Sequence, residues 1–205
     1  MAYRKTPAEI RRLESAREHL VARATDVVAE VGWSGASVTA VADAAGIAAG
    51  SMYQHFASKA ALAVEVFRRA AGHEVDVLES VLNGSGTPVD RLTDGVRVFA
   101  RRALENRGLA YALLAAPADA AVGAERLAFR RRYRALFAEV IREAMAEGLL
   151  PPQNGEVTAA ALTGAIGEVL VAPLGAPEED DAAELLAELT AMALRCAGAA
   201  PAPRP

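Results

Sequence analysis

Residues 37–59 read SVTAVADAAGIAAGSMYQHFASK, and the reading of this stretch decides the fold. Val38, Val41, Ala42 and Ala45 recur at the spacing that places side chains on one face of a helix, so they can share a buried side. Ser37 stands just before them, where its hydroxyl caps the first free amides. Gly46 follows Ala44-Ala45 and supplies the left-handed conformation that a helix end commonly requires. Ile47 is the apolar plug of the turn, and a second helix, residues 49–56, starts within three residues. Helices joined by so short a turn make a helix-turn-helix, whose second helix is shaped to enter a DNA major groove.

Val41-Ala42, Ala45-Gly46-Ile47, Gly50-Ser51-Met52-Tyr53, His55-Phe56 and Ser58-Lys59 resemble the N-terminal signature of TetR-type transcriptional regulators, which reads roughly IA..AGV..G.LY.HF.SK. The likeness is close over residues 25–67; beyond them it extends only to the general layout of an all-helical ligand and dimer domain. The resemblance implies the DNA-facing positions one by one. Thr39, near the start of the first helix, presents a hydroxyl beside free amides, which suits a phosphate or a base edge. Ala49, Gly50 and Ser51 stand where the family reads bases. The first two have no hydrogen-bonding side chain, so they are left with a thymine methyl contact for Ala49 and close backbone approach at Gly50. Gln54 is a long amide that can bond an adenine edge or a phosphate. Tyr53 and His55 match positions that clamp phosphates, and Lys59 meets a phosphate as a point charge. Met52 and Phe56 are read as core residues that hold the helix, Ser58 as the cap of the next one, and Trp33 as packing in the small head core.

Working outward, a 205-residue chain makes one large or two small domains. The alanine-rich composition favours helix throughout. The single cysteine, Cys196, excludes an internal disulfide framework and suits a reducing cytoplasm. No basic segment followed by an apolar one marks a secretory leader. Residues 158–176 are the most apolar stretch, but Gly164, Gly167, Glu168 and Pro173 interrupt it, so a buried interface helix is expected in place of a membrane span. The net charge is −4. Residues 1–60 carry seven Lys/Arg against six Asp/Glu, while residues 61–205 carry fifteen against twenty. Nonspecific DNA affinity scales with phosphates neutralised and should be modest.

In chain order, residues 1–7 form an arm with Arg4 and Lys5, open to a phosphate or minor-groove contact or to simple fraying. A first helix over 8–31 carries the apolar stripe Ile10, Leu13, Leu20, Ala24, Val27, Val28 and Val31, and its alternating charges read as a solvated, salt-bridged face. Gly32-Trp33-Ser34-Gly35 breaks it. Further helices are expected over 59–82, 88–106, 108–116, about 120–147, 156–172 and 178–196. Arg130, Arg131, Arg132 and Arg134 are expected mostly to face water. Glu178, Glu179, Asp180 and Asp181 open the last helix and complement its dipole. Ala160, Gly164 and Gly167 keep one side of the 156–172 helix small, and Leu185, Leu189, Met192 and Ala193 stripe the last helix. Two such helices from each of two chains make a four-helix dimer interface, as in the resembled family.

The expectation is therefore an all-α protein of about nine helices: a helix-turn-helix DNA-binding domain over 1–58, a larger helical ligand-binding and dimerisation domain over 59–200, and a disordered tail over 201–205. No catalytic set, metal site or cofactor motif is found; His55 lacks partners for a metal. The resemblance places an effector pocket among the helices from 59 to 172. Phe99, Arg101, Tyr111, Phe129 and Tyr133 are the candidates to line it, which suits a small hydrophobic or amphipathic ligand. The resulting function is a cytoplasmic, ligand-responsive repressor that binds a palindromic operator as a homodimer. A DNA-binding dimer without an effector, or acting as an activator, and a helical enzyme or scaffold using the head for protein contacts stand as the alternatives.

Overall fold

The computed structural model describes residues 6–176 and 182–199. The arm before Thr6, the acidic run from Glu178 to Asp181 and the tail over 201–205 lie outside the described residues. Among the described residues there are eight α-helices, one 3-10 helix and no strand.

Helix α1 spans Pro7–Gly35. Thr6 and Glu9 start it with a reciprocal capping box, the Glu9 amide donating to the Thr6 hydroxyl and the Thr6 amide donating to the Glu9 carboxylate. It kinks at Gly32, whose φ is 67°, and the kink turns Trp33 inward. Helix α2 spans Val38–Ala44, capped by Ser37, whose hydroxyl accepts from the Ala40 amide at 3.0 Å. Its far end is a Schellman turn. The Ile47 amide donates to the Ala42 carbonyl and the Gly46 amide to the Asp43 carbonyl, with Gly46 at φ 67°.

The segment after the turn departs from the expected α-helix over 49–56. It is a six-residue 3-10 helix, Ala49–Gln54, with Ser51 donating to Ala48 and His55 to Met52. Gly50 and Ser51 are poor helix formers, and no side chain caps the start. Burial of Met52 and Phe56 pins the segment at two points, and the tighter winding lets both reach the core.

Helix α3 spans Lys59–Leu82, capped by Ser58; α4 spans Pro88–Glu105, with a Thr87–Asp90 capping box and Pro88 in its first turn. Helix α5 spans Arg107–Leu114, α6 spans Ala120–Ala146 from an Asp119 cap, α7 spans Gly155–Gly175 from an Asn154 cap, and α8 spans Ala182–Ala197. Helix α6 packs against α3, α4 and α7, and α8 lies on α4 and α7. Helix α7 is long and apolar enough to cross a membrane by length and composition alone.

The buried side chains form two clusters. One lies among α4, α6, α7 and α8. The other starts in the head at Leu20, Val28, Trp33 and Met52, and continues without interruption through Phe67 to Phe129. Three features join head to body. The Trp33 indole donates to the Ala112 carbonyl of α5 at 2.8 Å, wholly buried. Trp33, Phe67 and Phe129 stand in a row, with ring centroids 6.3 Å and 5.7 Å apart. Helix α5 lies so close to α1 that a Cβ on Gly108 would stand 2.0 Å from the Ala29 carbonyl oxygen.

Ion pairs reinforce the joint. The expected charge pairing along α1 is realised for Arg23 and Asp26, but Arg17 instead reaches Glu65 on α3 at 3.1 Å, a carboxylate it shares with Arg69. Arg17 also lies 4.6 Å from the centre of the Phe56 ring. Burial opposes the charge on Glu65, but the hydrogen bonds and charges of Arg17 and Arg69 outweigh it and hold the carboxyl below its ordinary value. Arg68 does the same for Glu125 on α6 at 2.6 Å, against a smaller opposing effect of burial.

Gly108→Ala should force α1 and α5 apart, because the atom it meets is backbone and cannot rotate away. A loss of about 1–3 kcal/mol in urea unfolding is expected. Gly72→Ala, in mid-α3 with nothing within 4 Å of the new Cβ, should stabilise by about 0.5–1 kcal/mol. Equal effects would show that the α1–α5 approach is not tight. A second expectation concerns acid. Because both carboxyls are lowered in the folded state, their contribution is complete above the unfolded value of about 4.3 and is lost as pH falls from there through the folded values. Melting followed from pH 7 to 3.5 should show this loss, and Glu65→Gln should flatten the acid limb.

Candidate DNA-reading surface and effector cavity

The head holds its second helix from behind and leaves the front free. Met52 and Phe56 are buried, and Arg17 braces the Phe56 ring. Thr39, Ala49, Gly50, Tyr53, Gln54 and Lys59 are exposed, while Ser51 and His55 are half-buried. Tyr53 is 56% exposed, unusual for a large aromatic side chain. The side chains of Thr39, Tyr53, Gln54 and His55 make no hydrogen bond with other described residues. Lys59 reaches back to the Trp33 carbonyl at 3.5 Å, a weak hold for a charged amine. Thr39, Tyr53 and Gln54 thus keep free donors and acceptors on exposed side chains, whereas Lys59 turns back toward Trp33.

Two small cavities lie in the body. The first, about 50 Å³, is lined by residues of α3–α7, among them Phe67, Phe99, Phe129, Tyr133 and Phe137. The second, about 40 Å³, shares Phe99, Leu113, Leu114 and Tyr133 with it and adds Glu74 and Arg102. The Phe99 and Tyr133 rings meet edge to face at 5.4 Å between the two. Of the candidate lining residues, Phe99, Phe129 and Tyr133 are thus brought together. Arg101 stands exposed on α4 beside Glu105, and Tyr111 packs between the two buried clusters, outside either lining. Burial pushes the Tyr133 phenol well above its ordinary pKa, the charge of Glu74 adds to this, and the group stays neutral at any working pH. Its hydroxyl bonds to no described residue. Glu74 accepts two parallel bonds from Arg102, at 2.7 and 2.8 Å.

The reading from sequence passed over one residue here. Arg126 interrupts the inward stripe Val122, Phe129, Tyr133 and Phe137 on α6 and lines the first cavity. The i, i+4 and i, i+3 spacings to Val122 and Phe129 were the available signal. Arg130 lies at the same rim, and Arg131, Arg132 and Arg134 are exposed. A third and much larger cavity, about 530 Å³, lies between head and body. Trp33, Val41, Lys59, Ala63, Val66 and Asp119 are among its lining residues. Among the described residues, no three His, Cys, Asp or Glu side chains converge to hold a metal.

Comparison with known proteins accords with this layout. Residues 20–66 match the family model of bacterial regulatory proteins of the TetR family, and residues 85–194 match that of the tetracyclin repressor-like C-terminal domain. The chain is 26% identical over 142 residues to the HTH-type transcriptional repressor KstR2 of Mycolicibacterium smegmatis, covering 67% of this chain and 69% of that protein. Its fold is similar to the fatty acid degradation regulator FadR of Bacillus halodurans, at 20% identity and a TM-score of 0.74, over 86% of this chain and 97% of the other. It is likewise similar to FadR of Bacillus subtilis, solved in complex with stearoyl-CoA, at 16% identity and a TM-score of 0.76, over 86% and 96%. With the C-terminal match alone spanning more than half its length, this chain belongs to the TetR family of bacterial regulatory proteins.

Proposed function

We propose that the chain is a cytoplasmic repressor that binds a palindromic operator as a homodimer and is released by an amphipathic effector. The observation that carries the proposal is the head itself. Its second helix is locked from behind by Met52 and Phe56, while Thr39, Tyr53 and Gln54 face outward without partners. Gln54 and Ser51 then meet base edges, Ala49 and Gly50 allow close approach, and Thr39, Tyr53, His55 and Lys59 hold phosphates. Residues 1–58 act as the reader and residues 59–200 as the sensing and pairing body. The repressor KstR2 among its relatives supports the direction of control.

Two heads are needed to read paired half-sites. The outer face of α7 supports self-association: Val157 is 64% exposed, and Ala161, Gly164, Glu168 and Val169 continue that face. On α8 the stripe expected for pairing turns inward instead, with Leu189 and Ala193 buried and Leu185 and Met192 packed against the chain's own core, and Ala183, Ala187 and Glu188 are the exposed residues. Two copies of these helices bring four together around small side chains. The apolar cavity walls favour a hydrophobic or amphipathic ligand, and a fatty acid regulator of similar fold was solved in complex with stearoyl-CoA. An effector that prefers one spacing of the heads shifts the population toward it.

Selection of bound sequences from random duplex DNA tests the whole reading. A two-fold palindrome bound by two chains is expected; recovery of no motif would sink it. Lys59→Ala should weaken every site alike and lower the salt slope by about one. Gln54→Ala should change base preference, whereas equal loss on all sites would assign Gln54 to phosphate. Gly164→Leu has open space around its new side chain within the chain, so the monomer should stay folded. Sedimentation should then show single chains, with operator affinity at least about 100-fold weaker.

A further inference from the structure

We propose that Arg126 is the anion subsite of the effector cavity, and that its capture by a carboxylate-bearing amphipath is what loosens the DNA head. The proposal rests on the effector-released reading above and names the chemistry of that effector.

Of the half-buried arginines, Arg17, Arg91 and Arg102 each meet a carboxylate, Glu65, Glu143 and Glu74, and Arg107 meets the Pro173 carbonyl away from either cavity lining. Arg126 meets none among the described residues. Its Nε donates to the Leu113 carbonyl at 2.8 Å, and its Nη2 donates to Ala112 at 3.0 Å and Ala116 at 2.8 Å. Its Nη1 bonds to no described residue. Burial and the neighbouring charge of Arg130 both work against its protonated form, yet a guanidinium keeps its proton in proteins. A cation held only by neutral carbonyls, with one nitrogen free beside an aromatic cavity, is suited to take an anion. The free Tyr133 hydroxyl in the same lining is a second donor. A cation, a neutral phenol and walls of Phe67, Phe99 and Phe129 suit a carboxylate at the end of an apolar chain.

The cavity of about 50 Å³ is far below the several hundred Å³ of ordinary ligand sites. Phe99, Leu113, Leu114 and Tyr133 separate it from its 40 Å³ neighbour, and their rotation merges the two. That rotation disturbs the end of α5, where the relay lies. The Ala112 carbonyl accepts from Arg126 and also from the Trp33 indole of the head. A bond to a carboxylate is roughly twice as strong as one to a neutral carbonyl. A carboxylate that takes the free Nη1 and turns the guanidinium toward the cavity weakens its bonds to the Leu113 and Ala112 carbonyls of α5, and through Ala112 it reaches the acceptor that Trp33 uses.

The test uses the full chain with decanoate and 1-decanol, equal in chain length and different in charge. Trp33 is the only tryptophan, so its fluorescence reports the joint without a label. Decanoate should bind about tenfold or more tightly than 1-decanol, the worth of one charge-assisted hydrogen bond, and should shift Trp33 emission. Arg126→Gln should erase the preference, Arg126→Lys should keep part of it, and Arg130→Gln should keep most. Equal binding of the two probes, no binding of decanoate, or an undiminished preference in Arg126→Gln would overturn the proposal. The comparison of probes on the unaltered chain decides the matter even if Arg126→Gln fails to fold. These measurements need no DNA, so absence of any selected operator would sink the regulator reading and leave them standing. Decanoate that binds at Arg126 and leaves the selected operator bound would overturn the relay alone.

Discussion

The hydrogen bond from the Trp33 indole to the Ala112 carbonyl is the contact on which the rest of the structure depends. It is buried, so leaving either partner unmade is worth about 1–3 kcal/mol against the fold. It joins the kink of α1 to the last turn of α5, and therefore joins the part that faces DNA to the part that encloses the cavities. Everything near it is arranged to keep the two helices close. Gly108 removes the side chain that would hold them apart, Arg126 occupies the neighbouring carbonyls, and Phe67 carries the contact on to Phe129. The head has no separate core. Its buried residues belong to a cluster that ends at the cavity wall.

What was legible in the sequence is what is decided locally. Ser37, Gly46, Ser58 and Pro88 act on their own turn of chain, and each stands at a helix end as expected. Met52 and Phe56 were readable as core because their neighbours in sequence are small or polar. The 3-10 winding between them was not readable: it depends on how far two buried side chains must reach, and that distance is set by α1 and α3. The partner of Arg17 was hidden for a similar reason. Glu14 and Glu18 are near it along the chain, but Glu65, forty-eight residues away, is what it meets.

Arg126 is a different kind of miss. Its place in the stripe of α6 was visible, but the four arginines that follow drew the reading toward a solvated face. A charge at an inward position of an amphipathic helix conflicts with the local pattern, and such conflicts concentrate at functional sites. The body cavities could be anticipated only as a region, since a void is made by surfaces that fail to meet and no residue encodes it alone. The aromatic members Phe99, Phe129 and Tyr133 fell together because α4 and α6 present them to the same space.

The cavity of about 530 Å³ under the head has a mechanical consequence. Close-packed helices resist sliding because each side chain sits among four others, whereas a void offers no such interlock. On the flank of Val41, Ala63 and Val66 the head borders an open cleft, while along the α1–α5 seam it touches backbone. A displacement of the head toward the cleft would break fewer packed contacts than one across the α1–α5 seam.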